Sequence, residues 1–189
     1  MVLRVIGLQN KLRIVVLTCC LVHLAEAAAT RRGGALEMQG IDHLGMNVPD
    51  IDQAVAFFGE LLGTRTVLDM HPASADSDWK KRFSWNESSQ LERILMLRTA
   101  SGEQLELFQY SGPQISTRQP HEDDAAATHI ALRVKDIDAA MAVIRKYGLK
   151  VLCDPVTNDD GMRWFYFLTP WGSQLEIVSR PARRTSKAQ

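Results

Sequence analysis

Four residues of this 189-residue chain could do chemistry together: His43, Glu106, His129 and Glu176. Each glutamate ends the same phrase, Gly-x-Gln-Leu-Glu, at 102–106 and again at 172–176. Each histidine opens one of two matching stretches, HLGMNVPDIDQAVA (43–56) and HIALRVKDIDAAMA (129–142). Both carboxylates sit in apolar runs, between Leu105 and Leu107 and between Leu175 and Ile177, where an uncompensated charge is costly. A divalent cation would offset both. Imidazole nitrogen with carboxylate oxygen suits Fe(II), Mn(II), Co(II), Ni(II), Zn(II) or Mg(II). Four protein ligands on an octahedral ion leave two positions for adjacent oxygens of a substrate, toward which the ion is a Lewis acid. A hydrogen next to a carbonyl bound there becomes acidic, and Glu106 or Glu176 could remove it as general base. One histidine or one glutamate alone would more often be an ordinary strand residue; the repetition is what points to a site.

The elements that must position these residues repeat as well. Asp50-Ile51-Asp52 matches Asp136-Ile137-Asp138, and the two halves become modules of 41–110 and 128–179, joined by a linker, 111–127. Each module opens with a short strand of period-two alternation. A helix follows, with Asp50 or Asp136 at the N-cap, apolar residues at helical spacing (Ile51, Val55, Phe58, Leu62; Ile137, Met141, Ile144) and Gly63 or Gly148 at the stop. Strand-like runs come next: TRTVLDM, ERILMLRT and QLELFQY, then LKVLC, RWFYFL and QLEIVS, with the last two of each set joined as a hairpin. The fold class is therefore α+β, two βαβββ modules. Alternation turns Leu44, Met46 and Val48 toward the helix, and His43, Gly45 and Asn47 away from it. Gln104, Glu106 and Phe108 face away likewise, as do His129, Ala131, Arg133, Gln174, Glu176 and Val178. Gln104 and Gln174 share a face with the glutamates and are pocket-wall candidates.

Paired modules with His in IDHLGMNV and THIALRV and Glu in QLELF and QLEIV resemble the vicinal oxygen chelate superfamily, which includes glyoxalase I, methylmalonyl-CoA epimerase, extradiol dioxygenases and bleomycin-resistance proteins. The resemblance covers about residues 40–180. It implies a single domain in which curved mixed sheets enclose one divalent metal held by His43, Glu106, His129 and Glu176, in some members across a homodimer interface. The full His/Glu/His/Glu set is similar to that of glyoxalase I, yet the arginine such enzymes commonly carry four residues after the first histidine is here Asn47. Arg133 holds the equivalent place in the second half. Extradiol dioxygenases keep one carboxylate and metal-free binding relatives lose ligands, so a complete set ranks both lower. The segment 71–110, with Asp78, Trp79 and Arg82, is similar to a subgroup near the sugar-derived valiolone epimerases. Trp79 and Trp85 could cover a pocket or stack on a ring, and Lys80, Lys81 and Arg82 could attract an anion. The expectation is a metal-dependent epimerase or isomerase acting on a small molecule with adjacent oxygens; a glyoxalase I-like lyase is the alternative, then a dioxygenase or a binding protein.

Bulk properties fit a globular protein: 46% hydrophobic and 23% charged residues, with a formal net charge of +0. Nothing resembles a basic surface for nucleic acid, and no apolar stretch reaches the roughly 20 residues of a membrane span. The first 29 residues read as an export signal: Arg4, Lys11 and Arg13, then IVVLTCCLVHLA, then small residues at Ala25, Ala27 and Ala29. This predicts a periplasmic or secreted protein, a cytoplasmic one being the alternative. Removal of that segment would take Cys19 and Cys20 with it and leave Cys153 alone, excluding an internal disulfide. The polar tail 181–189 is expected to be loose.

Overall fold

The computed structural model describes residues 35, 36 and 38–181. The expected export segment and the tail beyond Pro181 lie outside the described residues. Among the described residues, those from His43 onward form one compact unit. Its first half contains β1 (Leu44–Asn47), α1 (Ile51–Leu62), β2 (Arg65–Met70), α2 (Ser77–Arg82), β3 (Gln90–Arg98) and β4 (Gln104–Ser111). Its second half contains β5 (Ile130–Arg133), α3 (Ile137–Lys146), β6 (Val156–Thr157), β7 (Arg163–Leu168) and β8 (Gln174–Ser179). The strands make two four-stranded sheets, ordered β1-β4-β3-β2 and β5-β8-β7-β6. In each, the first strand pairs in parallel with the last, and the others pair antiparallel.

The helices start and stop where their end residues dictate. Asp50 stays extended and accepts a hydrogen bond from the Gln53 N–H at 3.0 Å, while Asp136 accepts from Asp138 and Ala139. Gly63 terminates α1 at φ 65°, a left-handed conformation that costs glycine little. The inward faces of α1 and α3 bury Ile51, Ala54 and Phe58, and Ile137, Met141 and Ile144. These join Leu95, Leu97, Leu105, Leu107, Phe165, Phe167, Leu175 and Ile177 in one core. Both modules thus share a single hydrophobic cluster. Trp171, at the turn between β7 and β8, extends it by packing edge-on against Phe57 and Phe58 of α1, at centroid distances of 5.3 and 5.8 Å.

A second repeated device is electrostatic. Arg93 on β3 donates to Asp52 of α1 at 2.7 Å and forks onto Asp69 of β2 at 2.8 and 2.7 Å. Arg163 on β7 forks onto Asp138 of α3 at 2.7 and 2.9 Å. The second aspartate of each Asp-Ile-Asp run therefore clasps its helix to the third strand of its own module.

Two details differ from the sequence expectation. The run LKVLC forms no regular strand, contributing only a single bridge between Val151 and Phe167. Pro155 follows closely and has no N–H to extend a ladder, so β6 begins only at Val156. The segment after β2 holds the short helix α2, begun by Asp76, whose carboxylate accepts from the Trp79 N–H at 2.8 Å. Among the described residues no helix is long and apolar enough to cross a membrane.

Trp171→Ala should remove the wedge between α1 and the second hairpin and cost about 3 kcal/mol, measured by denaturant unfolding. Arg163 holds the Asp138 carboxyl below its usual range, chiefly by hydrogen bonding, with burial opposing and Coulombic attraction reinforcing the shift. A lowered folded-state value means that this stabilisation is present above the unfolded value near 4 and disappears as pH falls through the folded value. Asp138→Asn should therefore melt slightly below the wild type at pH 7, and the gap should close below about pH 4.

Candidate functional site

The parallel pairing within each module decides which residues meet. Gly45 lies opposite Glu106 in the β1–β4 register, and Ala131 lies opposite Glu176 in β5–β8. The histidine two residues earlier in each opening segment then reaches the glutamate of the neighbouring strand. His43 Nε2 lies 3.0 Å from a Glu106 carboxylate oxygen, and His129 Nε2 lies 3.2 Å from one of Glu176. The glutamate side chains are the more enclosed partners, at 20% and 12% exposure, against 37% and 39% for the histidines. Among the described residues each carboxylate forms its ion pair with that one histidine.

The four residues thus come together as two equivalent His–Glu pairs. Among the described residues no three His, Cys, Asp or Glu side chains stand close enough to hold one ion. The donor chemistry fits a divalent metal all the same. Each pair offers an imidazole nitrogen and a carboxylate oxygen within coordinating reach of a common point, and each carboxylate is enclosed enough to favour a cation.

Around the pairs, the other expected residues separate. Asn47, Gln174 and His129 line a cavity of about 950 Å³ between β1 and the β5–β8 edge, bounded also by Gln119 to Glu122 of the linker. Phe108 and Trp79 line another, of about 460 Å³, over the first sheet. Gln104 accepts a hydrogen bond from Arg98 at 2.8 Å instead of standing open as a pocket wall. Arg133 is exposed and lies near Glu103, whose carboxyl is pushed down to about 2, mainly by the Ser101 and Thr99 hydroxyls, with Arg133 a minor contributor. Arg82 is exposed and lines neither cavity.

The basic run beside Trp79 needs a correction. Lys80 is 6% exposed and donates to the Glu87 backbone carbonyl at 2.6 Å, so its ammonium pins the segment after α2 and does not face an incoming anion. Other contacts hold the same segment against the end of β4: Asn86 donates to the Gln114 carbonyl at 3.3 Å, and Ser88 to its side chain at 3.1 Å. Gly112, at φ 138°, allows this approach, because a Cβ there would lie 2.8 Å from the Ser88 carbonyl oxygen.

Sequence reasoning missed two tyrosines. Tyr110 follows Phe108 on the same face of β4, and burial, then the Glu106 charge, pushes its phenol up. Period-two alternation beyond Phe108 would have found it. Tyr166 lies opposite Glu176 in the β7–β8 register, with its ring edge-on to His129 at 5.1 Å. Burial and then Glu176 push its phenol up too, with smaller contributions from Glu122 and Cys153. Only the register places it there.

Two modules of this topology, each presenting a His–Glu pair at matched positions, define a recognisable class of protein. Residues 40–177 match the family model described as the Glyoxalase/Bleomycin resistance protein/Dioxygenase superfamily, and the chain belongs to that family. It is 40% identical over 147 residues to a 2-epi-5-epi-valiolone epimerase from an Actinomyces species, covering 75% of this chain and 80% of that protein. Among solved structures it is similar to a glyoxalase family protein from Bacillus cereus, with a TM-score of 0.59 and 20% identity, over 79% of this chain and 97% of the other. A glyoxalase family protein from Enterococcus faecalis matches with a TM-score of 0.56 and 22% identity, over 75% and 98% of the two chains. These structural likenesses establish the glyoxalase-like fold.

Lys80→Met should keep the aliphatic packing and leave the Glu87 carbonyl without its donor. The expected cost is about 1–3 kcal/mol, with hydrogen exchange accelerated selectively over residues 83–89.

Proposed function

We propose that this protein is a divalent-metal-dependent epimerase that moves a proton at a carbon next to a carbonyl. The duplicated His–Glu pair carries the reading: the same two residue types meet at the same register in both halves, although their charges bring a folding cost that a core of this kind does not require. Likeness to a protein named as an epimerase supports it and sets it ahead of the other reactions of the family.

His43, Glu106, His129 and Glu176 would hold the ion, one His–Glu pair from each of two copies of the chain because the pairs of a single chain stand apart, and the ion when bound would supply Lewis acidity toward the substrate's carbonyl oxygen. The chain's own residues do the remaining work. Inversion at carbon requires a proton to leave one face and a proton to arrive at the other. Glu106 and Glu176 belong to opposite modules and provide a carboxylate for each direction. The histidines stand beside the carboxylates at 3.0 and 3.2 Å and would contribute the nitrogen donors of the set. Tyr166, edge-on to His129 and across from Glu176, keeps its phenolic proton and can donate to a substrate oxygen. A glyoxalase I-like lyase would use the same donors. The absence of an arginine at Asn47, where that enzyme type commonly holds the glutathione carboxylate, favours the epimerase.

The metal-loaded protein should contain about one divalent ion per chain and exchange a C–H of 2-epi-5-epi-valiolone for deuterium in heavy water, followed by NMR. Glu176→Gln and Glu106→Gln should each lower the exchange rate by at least about 100-fold. A His43→Ala, Glu176→Ala double variant that kept both metal and exchange would remove the basis for this assignment. Lactoylglutathione formation from the hemithioacetal of methylglyoxal, without exchange of the cyclic ketone, would favour the lyase.

A further inference from the structure

The cavity of about 460 Å³ over the first sheet continues along β4 from Glu106, its nearest walls beginning at Phe108 and not at His43 or Glu106 themselves. Phe108 and Tyr110 follow Glu106 on the same face of β4, and Leu91 and Ile94 lie opposite them on β3. Residues 72–76, with Trp79 and Trp85, close it from above. Its size falls within the usual range for small-molecule sites. The aromatic walls are mutually braced. The Trp85 ring stands nearly perpendicular to Tyr110 at 5.1 Å, Phe108 stacks toward Tyr110 at 6.4 Å, and Trp79 leans on Phe83 at 4.4 Å.

Two properties limit what this cavity can take. Among the described residues no Lys, Arg or His lines it, and the one charged lining residue, Asp76, uses its carboxylate to cap α2. Lys80 and Arg93, which adjoin lining residues in sequence, are committed to the Glu87 carbonyl and to Asp52 and Asp69. A phosphate or carboxylate placed here would lose its hydration without gaining a countercharge. The walls do carry two neutral donors. The Trp85 indole N–H and the Tyr110 hydroxyl are not sealed in the interior, and neither has a protein hydrogen-bond partner among the described residues. Flat aromatic faces beside a few neutral donors match a saturated ring that presents C–H on its faces and hydroxyls at its edge.

We infer that this aromatic cavity is the subsite for the body of the substrate, and that it selects an uncharged, hydroxylated ring over phosphorylated or thioester-carried analogues. The inference rests on the epimerase reading of the neighbouring pair. It adds the substrate class and assigns Trp85, Tyr110, Leu91 and Ile94 to specificity. With the reacting carbon at the His43–Glu106 pair, the rest of the ring extends along β4 beneath α2.

The test uses the full chain after chelator treatment, so that binding does not depend on a metal. The probes are 2-epi-5-epi-valiolone and its phosphate monoester, and the readout is the set of tryptophan indole resonances in a ¹H–¹⁵N spectrum. The neutral ring should shift the Trp85 and Trp79 signals and leave Trp171 unmoved. Its phosphate ester should bind at least about tenfold more weakly. Trp85→Ala should weaken binding of the neutral ring by about tenfold. Leu91→Trp, which fills the cavity from the strand side, should block binding with the circular dichroism spectrum retained; it also serves if the Trp85 variant fails to fold. An unresponsive Trp85 signal, equal or tighter binding of the phosphate ester, or wild-type affinity in Leu91→Trp would overturn the proposal. Ring binding without solvent exchange in the metal-loaded enzyme would sink the epimerase reading alone. Exchange with no response at Trp85 would sink the subsite alone.

Discussion

Parallel pairing of the first and last strand of each module is the constraint on which the rest of this structure depends. A strand that pairs in parallel with another needs a crossover long enough to return the chain to the same end of the sheet, and α1 and α3 begin that return. The result is that a histidine at the start of one strand reaches a glutamate in the middle of another, far away in sequence. Moving either register by one residue would turn Glu106 or Glu176 into the core and expose Leu105 or Leu175. The hydrophobic core and the polar pair are thus enforced by the same alternation. The packing that makes the fold stable also holds the chemistry in position.

Duplication doubles this arrangement and also reveals where the halves have diverged. Both retain the Asp N-cap, a left-handed glycine at the helix end (Gly63 as the cap of α1, Gly148 one residue past the Tyr147 cap of α3), the clasp between the second aspartate of Asp-Ile-Asp and an arginine of the third strand, and the His–Glu pair. They differ in what surrounds the pair. Met96 stands opposite Glu106 where Tyr166 stands opposite Glu176, and the first half alone carries a long segment between its second and third strands. That segment is fastened by Lys80, Asn86 and Ser88 and folds over an aromatic floor. A symmetrical scaffold thereby presents an asymmetric site.

The charge placement follows the same division. Arginines on the outer side of the sheets are consumed in clasps with Asp52, Asp69 and Asp138 and take no part in the site. On the inner side, the carboxylates of Glu106 and Glu176 raise the protonation range of the nearest tyrosines after burial has already done so. The inner face accordingly gathers carboxylates beside phenols whose protonated form is favoured.

The repeated phrase Gly-x-Gln-Leu-Glu, the paired histidines and the period of the apolar residues determined the module, its helices and the face on which each site residue lies. These are consequences of local geometry, because alternation along a strand and spacing along a helix fix side-chain direction without reference to the partner strand. Only the tertiary structure decided what lies beside what. Tyr166 became a neighbour of Glu176 through antiparallel register, and Lys80 became a buried latch because Glu87 returned to meet it. Arg98 took Gln104 out of the open wall, and Trp85 acquired Tyr110 as its partner. Each of these depends on segments distant in sequence approaching within a few ångströms. A linear pattern carries no term for that distance, whereas strand register and loop closure set it directly.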